Sequence, residues 1–295
     1  MKTKNKKLIA VSGGPDSMFL LKKSIDNYGA ENLVVAHINY KTRPESDYET
    51  ELIKKFCELN KVSFFFKICD YTQCKGNFEN WARTKRYEFF KSVYDSENCD
   101  LLIMGHHKDD FLETALMQKN SNRDVLFFGI KDKNVNFGMN IYRPFINRYF
   151  KDEILHEIKN LDITYSVDST NLLPVCERNK IRLELQKYSL VEKSELISNF
   201  YKKNSFLKKT EEKILNEFES WKDCEYSQDC FEFYKYKAQI IYKFIHENFC
   251  AIKLSKNKID SIIQWYLSKN RTSEYILKDN IKLIKKRGKL TNISY

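Results

Sequence analysis

The eight cysteines of this 295-residue chain include no Cys-x-x-Cys pair. Scattered cysteines of this kind are typical of neither a zinc site nor a disulfide framework. Long apolar runs are absent too, since the first, at residues 8–11, ends at a Gly-Gly turn. Such a run is too short for a signal-peptide core or a membrane span. We therefore expect a protein of the reducing cytoplasm.

Internal repeats and low-complexity linkers are also missing. With 42% hydrophobic residues, the chain can bury a full core and form one large domain plus a smaller one. Strand-like patterns stop near residue 177, and helical patterns follow. We predict a catalytic domain at 1–190 and a helical, basic domain at 191–295.

Positive charge exceeds negative charge, with 51 Lys and Arg residues against 40 Asp and Glu residues, a net charge of +11. Residues 191–295 hold 21 basic and 14 acidic side chains, so the excess is denser there. This balance favours a polyanionic partner. Nucleic acid is favoured over a membrane, because no strongly amphipathic basic helix stands out. A biased genomic composition is the alternative explanation.

A Ser-Gly-Gly-Pro-Asp-Ser turn at residues 12–17 joins an apolar, strand-like run to a helical pattern. Gly13 and Gly14 can adopt positive φ, so successive N–H groups can surround phosphate oxygens in front of a helix N-terminus. Asp16 would repel such a ligand unless a cation lay between them, which makes it a candidate Mg²⁺ contact. An ordinary strand-turn-helix junction with a capping serine is the alternative.

Further strand-like runs occur at residues 33–38, 62–68 and 101–105, with helical patterns at 47–59 and 78–94 between them. This alternation predicts a parallel sheet covered by helices, in which ligands bind at the carboxyl ends of the strands. The turn at 12–17 follows the first strand, and a polar segment at 105–110 follows the fourth. We expect these two segments to meet in one crevice.

The remaining segments differ in character. We interpret residues 119–140, which are polar around a small apolar knot, as a mobile loop over the site. Helical spacing continues to about residue 268. Beyond it, Asp279-Asn280 and Arg287-Gly288 resemble turns between short strands.

A dense polar cluster follows the fourth strand: His106, His107, Asp109, Asp110 and Glu113. Adjacent histidines cannot form the i, i+4 pair of a helical zinc site, so oxygen coordination of Mg²⁺ and contacts to phosphate suit the cluster better. The alternative is that one of the two aspartates caps the next helix.

Two arginines on the predicted helix at 78–94, Arg83 and Arg86, could neutralise a transferring phosphoryl group. A surface salt bridge is the alternative for either of them.

An ordered series of motifs spans residues 7–190: SGGPDS at 12–17, AHINYKTRPES at 36–46, NWARTKRYEFF at 80–90, GHHKDDFLET at 105–114, YRPF at 142–145 and DSTNLLPVCERNKIR at 168–182. In this order the chain resembles the PP-loop ATP pyrophosphatases and, within them, the tRNA(Ile)-lysidine synthetases. The resemblance implies an α/β, Rossmann-like parallel-sheet domain, followed by a smaller, mainly helical domain with a short β end.

The resemblance also implies a reaction. Enzymes of this family use ATP and Mg²⁺ to adenylate the C2 carbonyl of the wobble cytidine in a CAU anticodon, releasing pyrophosphate. The ε-amine of free lysine then displaces AMP, and the resulting lysidine pairs with A. Lysine has a pKa of about 10.4, so a carboxylate or imidazole must help remove its proton.

The site residues expected on this basis fall into four groups. The catalytic candidates are Asp16, His106, His107, Asp109, Asp110 and Arg83. The ATP-binding candidates are Ser12, Gly13, Gly14, Pro15, Asp16, Ser17, His37 and Arg86. The metal candidates are Asp16 and Asp110. The candidates for contacts with substrate or tRNA are Arg182, Lys208, Lys209, Lys285, Lys286 and Arg287, although a solvated face is the alternative for each lysine.

Two departures from the family pattern stand out. Tyr40 stands where the family often has histidine, and residues 120–123 replace a glycine-rich segment. Two other functions stay open: a PP-loop tRNA thiolase, for which Cys69 and Cys74 are the nearest cysteine pair, and a non-catalytic RNA-binding protein. Dimerisation through helices is compatible with the sequence.

Overall fold

A computed structural model describes residues 5–42, 45–71, 78–121, 124–166, 177–249, 252, 254–278 and 281–291. The chain divides into two compact units, Met1–Lys203 and Asn204–Tyr295. Parts of the motifs at 36–46 and 168–182, together with Cys74 and residues 122–123, lie outside the described residues.

The first unit is built on a six-stranded sheet. Its strands are β1 (Lys6–Ala10), β2 (Leu33–Asn39), β3 (Ser63–Ile68), β4 (Cys99–Ile103), β5 (Lys133–Asn136) and β6 (Met139–Tyr142). They are arranged in the order β3-β2-β1-β4-β6-β5, and every pairing is parallel except that of β5 with β6. The predicted α/β class with a parallel sheet is confirmed.

Helices cover this sheet: α1 (Pro15–Tyr28), α2 (Glu45–Leu59), α3 (Phe78–Ser96), α4 (Lys108–Asn120), α5 (Lys151–Asn160) and α6 (Glu177–Leu185). Phe19 of α1 and Ile53 of α2 belong to one buried layer, whereas Phe90 of α3 packs with Leu8 in another. Strands buried on both faces explain why the sequence shows continuous apolar runs and not alternation.

The strand order reverses at β1, which lies between β2 and β4. Loops that leave the carboxyl ends of neighbouring strands at such a point diverge and open a crevice. The predicted segments, residues 12–17 and 105–110, follow β1 and β4. The topology therefore places the two polar segments side by side.

The interpretation of residues 119–140 as a mobile loop needs correction. This segment contains β5 and the start of β6, a strand whose Ile141 pairs with Leu102 of the parallel sheet. Its apolar knot is anchored as well, because Phe127 and Phe128 pack against a core that contains Phe111. A tertiary strand pairing, which local sequence does not reveal, accounts for the difference.

Helix α7 (Leu190–Asp223) begins at the predicted domain boundary, whereas the division between the units lies within it. The second unit continues with α8 (Gln228–Phe231), α9 (Lys237–Asn248), α10 (Lys256–Tyr266) and an antiparallel sheet of β7 (Ser273–Lys278), β8 (Ile281–Lys286) and β9 (Lys289–Thr291). Trp221, Phe244 and Tyr266 lie in its core.

The predicted helical domain with a short β end is confirmed. The turn at Arg287-Gly288 is present, with positive φ at both residues, and Asp279-Asn280 lies outside the described residues. No helix in the described ranges has the length and apolar character needed to cross a membrane.

Candidate active site

The loop after β1 is closed by its own serine. The Ser17 hydroxyl accepts a hydrogen bond from the Ser12 backbone N–H at 3.1 Å and donates one to the Gly14 carbonyl at 2.9 Å. Gly13 has φ +90°, a conformation that side chains disfavour, and α1 begins at Pro15. Ser17 therefore holds the loop in shape, whereas the exposed Ser12 can offer its hydroxyl to a ligand.

The segment after β4 approaches this loop closely at Gly105. A Cβ at Gly105 would lie 3.1 Å from the carbonyl oxygen of Asp16, which is tighter than ordinary packing allows. Glycine thus permits the contact that brings His106 and Asp110 to the start of α1. The predicted convergence of the two segments rests on this approach.

A cavity of about 230 Å³ lies between the two segments. The polar side chains that line it are Ser12, Asp16, Ser17, Tyr40, Arg86, His106 and Asp110. The apolar side chains that line it are Ala10, Val11, Ile38, Phe90 and Met104. One part of the cavity thus suits phosphates and charged groups, and another suits a flat apolar ring.

The two adjacent histidines have opposite properties. Burial lowers the pKa of His106 to about 4, so the ring is neutral at pH 7, and its Nδ1 has no hydrogen-bond partner among the described residues. Burial also opposes charge on His107, but the carboxylates of Asp110, Asp109 and Asp16 outweigh it and raise the pKa of His107 to about 9. His106 therefore faces the cavity as a neutral imidazole, and His107 is a buried cation.

His107 holds two of the cavity carboxylates together. Its Nε2 lies 3.8 Å from Asp16 Oδ1 and 3.4 Å from Asp110 Oδ2. Asp110 also accepts a hydrogen bond from the His107 backbone N–H at 2.9 Å, so it caps α4 while lining the cavity. Both Asp16 oxygens accept hydrogen bonds from Lys151 Nζ at 2.7 Å.

Asp109 does not line the cavity, contrary to its predicted catalytic place. Its carboxylate accepts hydrogen bonds from Lys193 Nζ and from the Lys151 backbone N–H, both at 2.8 Å, and lies 3.5 Å from His107 Nδ1. Burial opposes the charged form of Asp109, but these donors hold its pKa well below its usual range. Asp109 thus connects α4, α5 and α7 beneath the site.

Two other predicted site residues lie elsewhere. His37, predicted to contact ATP, is buried, and its ring nitrogens lie 3.0 Å from Val11 O and from Thr50 Oγ1. Arg83, predicted to be catalytic, is exposed, and its guanidinium lies 4.9 Å from the centre of the Tyr87 ring. Neither lines the cavity, whereas Arg86, one turn beyond Arg83 on α3, does.

Arg182, predicted to contact substrate or tRNA, is held by a buried carboxylate. Its Nε donates to Glu113 Oε1 at 2.7 Å, and a terminal nitrogen donates to Glu113 Oε2 at 3.2 Å. This pair joins α4 to α6. The hydrogen bond and charge of Glu113 raise the pKa of Arg182, which fixes its positive charge at this place.

Sequence reasoning missed Lys151 and Lys193. Lys151 starts α5, and Lys193 lies near the start of α7, both far along the chain from the carboxylates that they bind. No motif or spacing distinguishes them from the other lysines. Only the folded chain brings them to Asp16 and Asp109.

Comparisons with known proteins identify the family of the chain. A family model described as a PP-loop domain matches residues 1–189. The tRNA(Ile)-lysidine synthase of Mycoplasmopsis pulmonis is 41% identical over 285 residues, which cover 95% of this chain and 96% of that protein. The tRNA(Ile)-lysidine synthase of Mesomycoplasma hyopneumoniae is 38% identical over 98% of this chain and 96% of its own length.

This chain belongs to the tRNA(Ile)-lysidine synthase family. A solved structure with the same fold is the U34-tRNA thiolase NcsA from Methanococcus maripaludis with its [4Fe-4S] cluster. It aligns with a TM-score of 0.54 and 20% identity, covering 69% of this chain and 74% of that one. At this identity the likeness concerns the fold alone.

The predicted RNA contacts of this family member divide by exposure. Lys208 and Lys209 on α7, together with Lys286 and Arg287 at the end of β8, are exposed. Lys285 is fully buried, and its ammonium donates to the carbonyls of Trp265 and Tyr266 at 3.0 Å. The prediction of a phosphate contact for Lys285 is therefore corrected: this lysine binds the carboxyl end of α10.

The cysteines of the first unit that the structure describes are poor nucleophiles. Burial raises the pKa of Cys57 to about 12 and that of Cys99 to about 11, and it raises the pKa of Cys69 as well. All three thiols are thus protonated at pH 7 and shielded from solvent. This does not favour the thiolase alternative.

Proposed function

We propose that this chain is an ATP-dependent ligase that converts the wobble cytidine of a CAU anticodon in tRNA(Ile) into lysidine, using free lysine. Family membership over nearly the whole chain supports the reaction. The observation that carries the proposal for the site is the cavity in which the loop at 12–17, which includes Asp16, meets His106 and Asp110.

The polar and the apolar parts of this cavity suit the phosphates and the adenine ring of ATP, respectively. The loop and the N-terminus of α1 offer N–H groups and a positive dipole end to the phosphates. Ile38, Phe90 and Met104 provide an apolar wall for the adenine ring. Arg86 adds a fixed positive charge on the same cavity wall.

Asp16 and Asp110 are the residues that would hold Mg²⁺. Both carboxylates line the cavity beside the phosphate loop, and Mg²⁺ commonly takes one or two carboxylates together with phosphate oxygens and water. Among the described residues, no group of three or more His, Cys, Asp or Glu side chains could hold a metal ion by itself. A Mg²⁺ ion held by these two carboxylates would therefore need phosphate oxygens and water as its other ligands, and its chemistry would be to neutralise phosphate charge.

The chemistry proceeds in two steps. The C2 oxygen of the cytidine attacks the α-phosphorus of ATP, and pyrophosphate leaves. The lysine ε-amine then adds at C2, and the C2–O bond breaks as AMP departs with the oxygen. The amine must first lose a proton, and Asp16, Asp110 and the neutral His106 are the groups that face the cavity to assist.

The test is pyrophosphate release with purified protein, ATP, Mg²⁺, lysine and a tRNA transcript bearing CAU. We expect pyrophosphate release to require this tRNA. We also expect AMP and lysidine to form in equal amounts. A transcript with uridine in place of the wobble cytidine is the matched control and should support no release. A non-catalytic RNA-binding protein would release no pyrophosphate, and a thiolase would need a sulfur donor in place of lysine.

The proposal includes three further points. Its substrates, ATP, free lysine and tRNA, assign the reaction to the cytoplasm. The exposed cations Lys208, Lys209, Lys286 and Arg287 are proposed to contact tRNA phosphates. Dimerisation through helices stays a prediction, which light scattering on the purified chain tests.

A further inference from the structure

Four aromatic side chains form a cluster at the carboxyl edge of the sheet: Tyr40, Tyr71, Phe78 and Trp81, here called the aromatic platform. The ring of Tyr71 lies 5.0 Å from that of Phe78 and 5.2 Å from that of Trp81. Tyr40 completes the group, at 5.8 Å from Phe78 and 6.1 Å from Trp81. All four rings are half-buried, so each keeps some surface in solvent.

The platform is continuous with the cavity. Tyr40 directly follows β2, lines the cavity beside Arg86 and donates its hydroxyl to the Ala82 carbonyl at 2.9 Å. Phe78 and Trp81 lie in the first turn of α3, and Tyr71 lies just after β3. A ligand that extends from the cavity past Tyr40 would therefore reach the neighbouring rings of Phe78 and Trp81.

Positive charge accompanies the aromatic rings. Between residues 78 and 88, α3 carries three basic side chains, Arg83, Lys85 and Arg86, and two carboxylates, Glu79 and Glu88. Lys85 is paired with Glu88 at 3.0 Å, so Arg83 and Arg86 are the basic side chains that matter here. Arg83 is exposed, and Arg86 lines the cavity. Aromatic faces next to basic side chains are the combination with which proteins bind single-stranded nucleic acid.

We propose that the aromatic platform stacks against an unpaired nucleobase next to the target cytidine, in the anticodon loop of the RNA substrate. The inference rests on the proposed function. A cytidine that enters the cavity must leave the stack of its own loop, so its neighbour loses a stacking partner. The platform replaces that partner, and because every base has an aromatic face, it needs no specific hydrogen bonds.

The experiment measures the affinity of a CAU anticodon stem-loop and of two versions that are abasic at either nucleotide flanking the target cytidine. For the unsubstituted protein, removal of the stacked base should weaken binding on the order of tenfold. The Trp81→Leu variant should bind the intact RNA more weakly by a similar factor. Its affinity should then change little when the abasic RNA replaces the intact RNA. Trp81→Phe should retain most of the effect.

Tyr71→Leu provides a second variant in case Trp81→Leu does not fold. Phe233→Leu is the control, since Phe233 is an exposed aromatic residue of the second unit, 85% accessible, and lies outside the platform. The inference would be overturned if an abasic site reduced RNA affinity by the same factor in the unsubstituted protein and in both platform variants. Absence of any abasic effect would overturn it as well.

Failure of this inference is separable from failure of the proposed function. Lysine incorporation into full-length tRNA by the unsubstituted protein tests the function. The coupling between platform variants and abasic RNA is a binding measurement that needs no turnover.

Discussion

Asp16 is the side chain on which the phosphate loop, the proposed cation and Lys151 meet. It lines the cavity in the first turn of α1, and each of its two carboxylate oxygens accepts a hydrogen bond from the Lys151 ammonium. Asp16→Asn keeps the size of the side chain but removes its charge. We expect pyrophosphate release to fall at least a hundredfold, because the phosphates lose their cation, while tRNA affinity changes less than about threefold.

The matched control for this variant is Asp26→Asn on the same helix, whose carboxylate is paired with Lys22 at the surface. It should retain full activity. Normal pyrophosphate release by Asp16→Asn would show that the cation assignment is wrong.

Lys285 illustrates how burial changes the meaning of a basic residue. Its ammonium binds carbonyls at the carboxyl end of α10, where a positive charge is also favoured by the helix dipole. Lys285→Met should destabilise the protein by about 2 kcal/mol, because those carbonyls lose a charged donor. Urea unfolding measures this loss.

Lys286→Met is the control, since the neighbouring side chain is exposed. It should change stability by less than about 0.5 kcal/mol. Equal stability of both variants would contradict the role assigned to Lys285.

The buried imidazole of His37 gives a pH-dependent prediction. Burial lowers its pKa below the ordinary 6.5, although its hydrogen bond to Val11 opposes this. As the pH falls, His37 therefore takes up a proton in the unfolded chain before it does so in the folded one. The contribution of the neutral imidazole to stability is complete above pH 6.5 and is lost as the pH falls below that value. The loss approaches about 1.4 kcal/mol per pH unit.

Urea unfolding at pH 7.5 and 5.5 tests this prediction, with His37→Asn as the comparison because its amide can still donate to Val11 O. Other titrating groups are common to both proteins and cancel in the difference. The stability advantage of His37 should shrink at pH 5.5. An advantage that grew as the pH fell would contradict a lowered pKa.

At the scale of elements, the buried pair Asp109–Lys193 ties the start of α4 to α7. The two side chains are only 11% and 9% exposed, and the backbone of α5 donates to the same carboxylate. Lys193→Met removes the ammonium that balances the buried negative charge of Asp109. We expect a loss of about 3 kcal/mol in the free energy of unfolding.

The control is Lys91→Met, which breaks an exposed pair with Asp95 and should cost less than about 1 kcal/mol. If both substitutions lowered the free energy of unfolding by similar amounts, the buried pair Asp109–Lys193 would stabilise the protein no more than an exposed pair does. Unfolding of both variants in urea gives the comparison.

The elements also show what the sequence can and cannot predict. The central strands and the turn at 12–17 were predictable, because continuous apolar runs and a glycine-rich turn are local signals. The β5–β6 hairpin was not. Phe137 and Gly138 both have positive φ, as a type I′ turn needs, yet phenylalanine is unusual at the first position. Phe137 stacks on Tyr87 with ring centres 5.0 Å apart, a contact that only the fold reveals.

The same distinction explains the site. Residues within one motif, such as Asp16 or Asp110, could be placed by their spacing after a strand. Lys151 and Lys193 could not, because their partners lie 135 and 84 residues away. His37 was placed wrongly, since a polar residue at the end of a strand can turn either toward the ligand or into the core.

At the scale of the whole molecule, the first unit supplies the cavity, and the second carries exposed cations and its own aromatic core. An enzyme that modifies one base of a tRNA needs both a nucleotide site and a surface for the RNA backbone. We propose that the two units, each with its own core, divide these two tasks. We therefore propose that the whole chain is needed to join lysine to the wobble cytidine.

The most direct measurement incubates the purified full chain with ATP, Mg²⁺, radiolabelled lysine and a CAU-bearing isoleucine tRNA transcript, followed by nucleoside analysis. The predicted result is label in a modified cytidine. This label should be absent when ATP is omitted or when uridine replaces the target base. Cleavage of ATP in the presence of this tRNA without any label in its nucleosides would contradict the account.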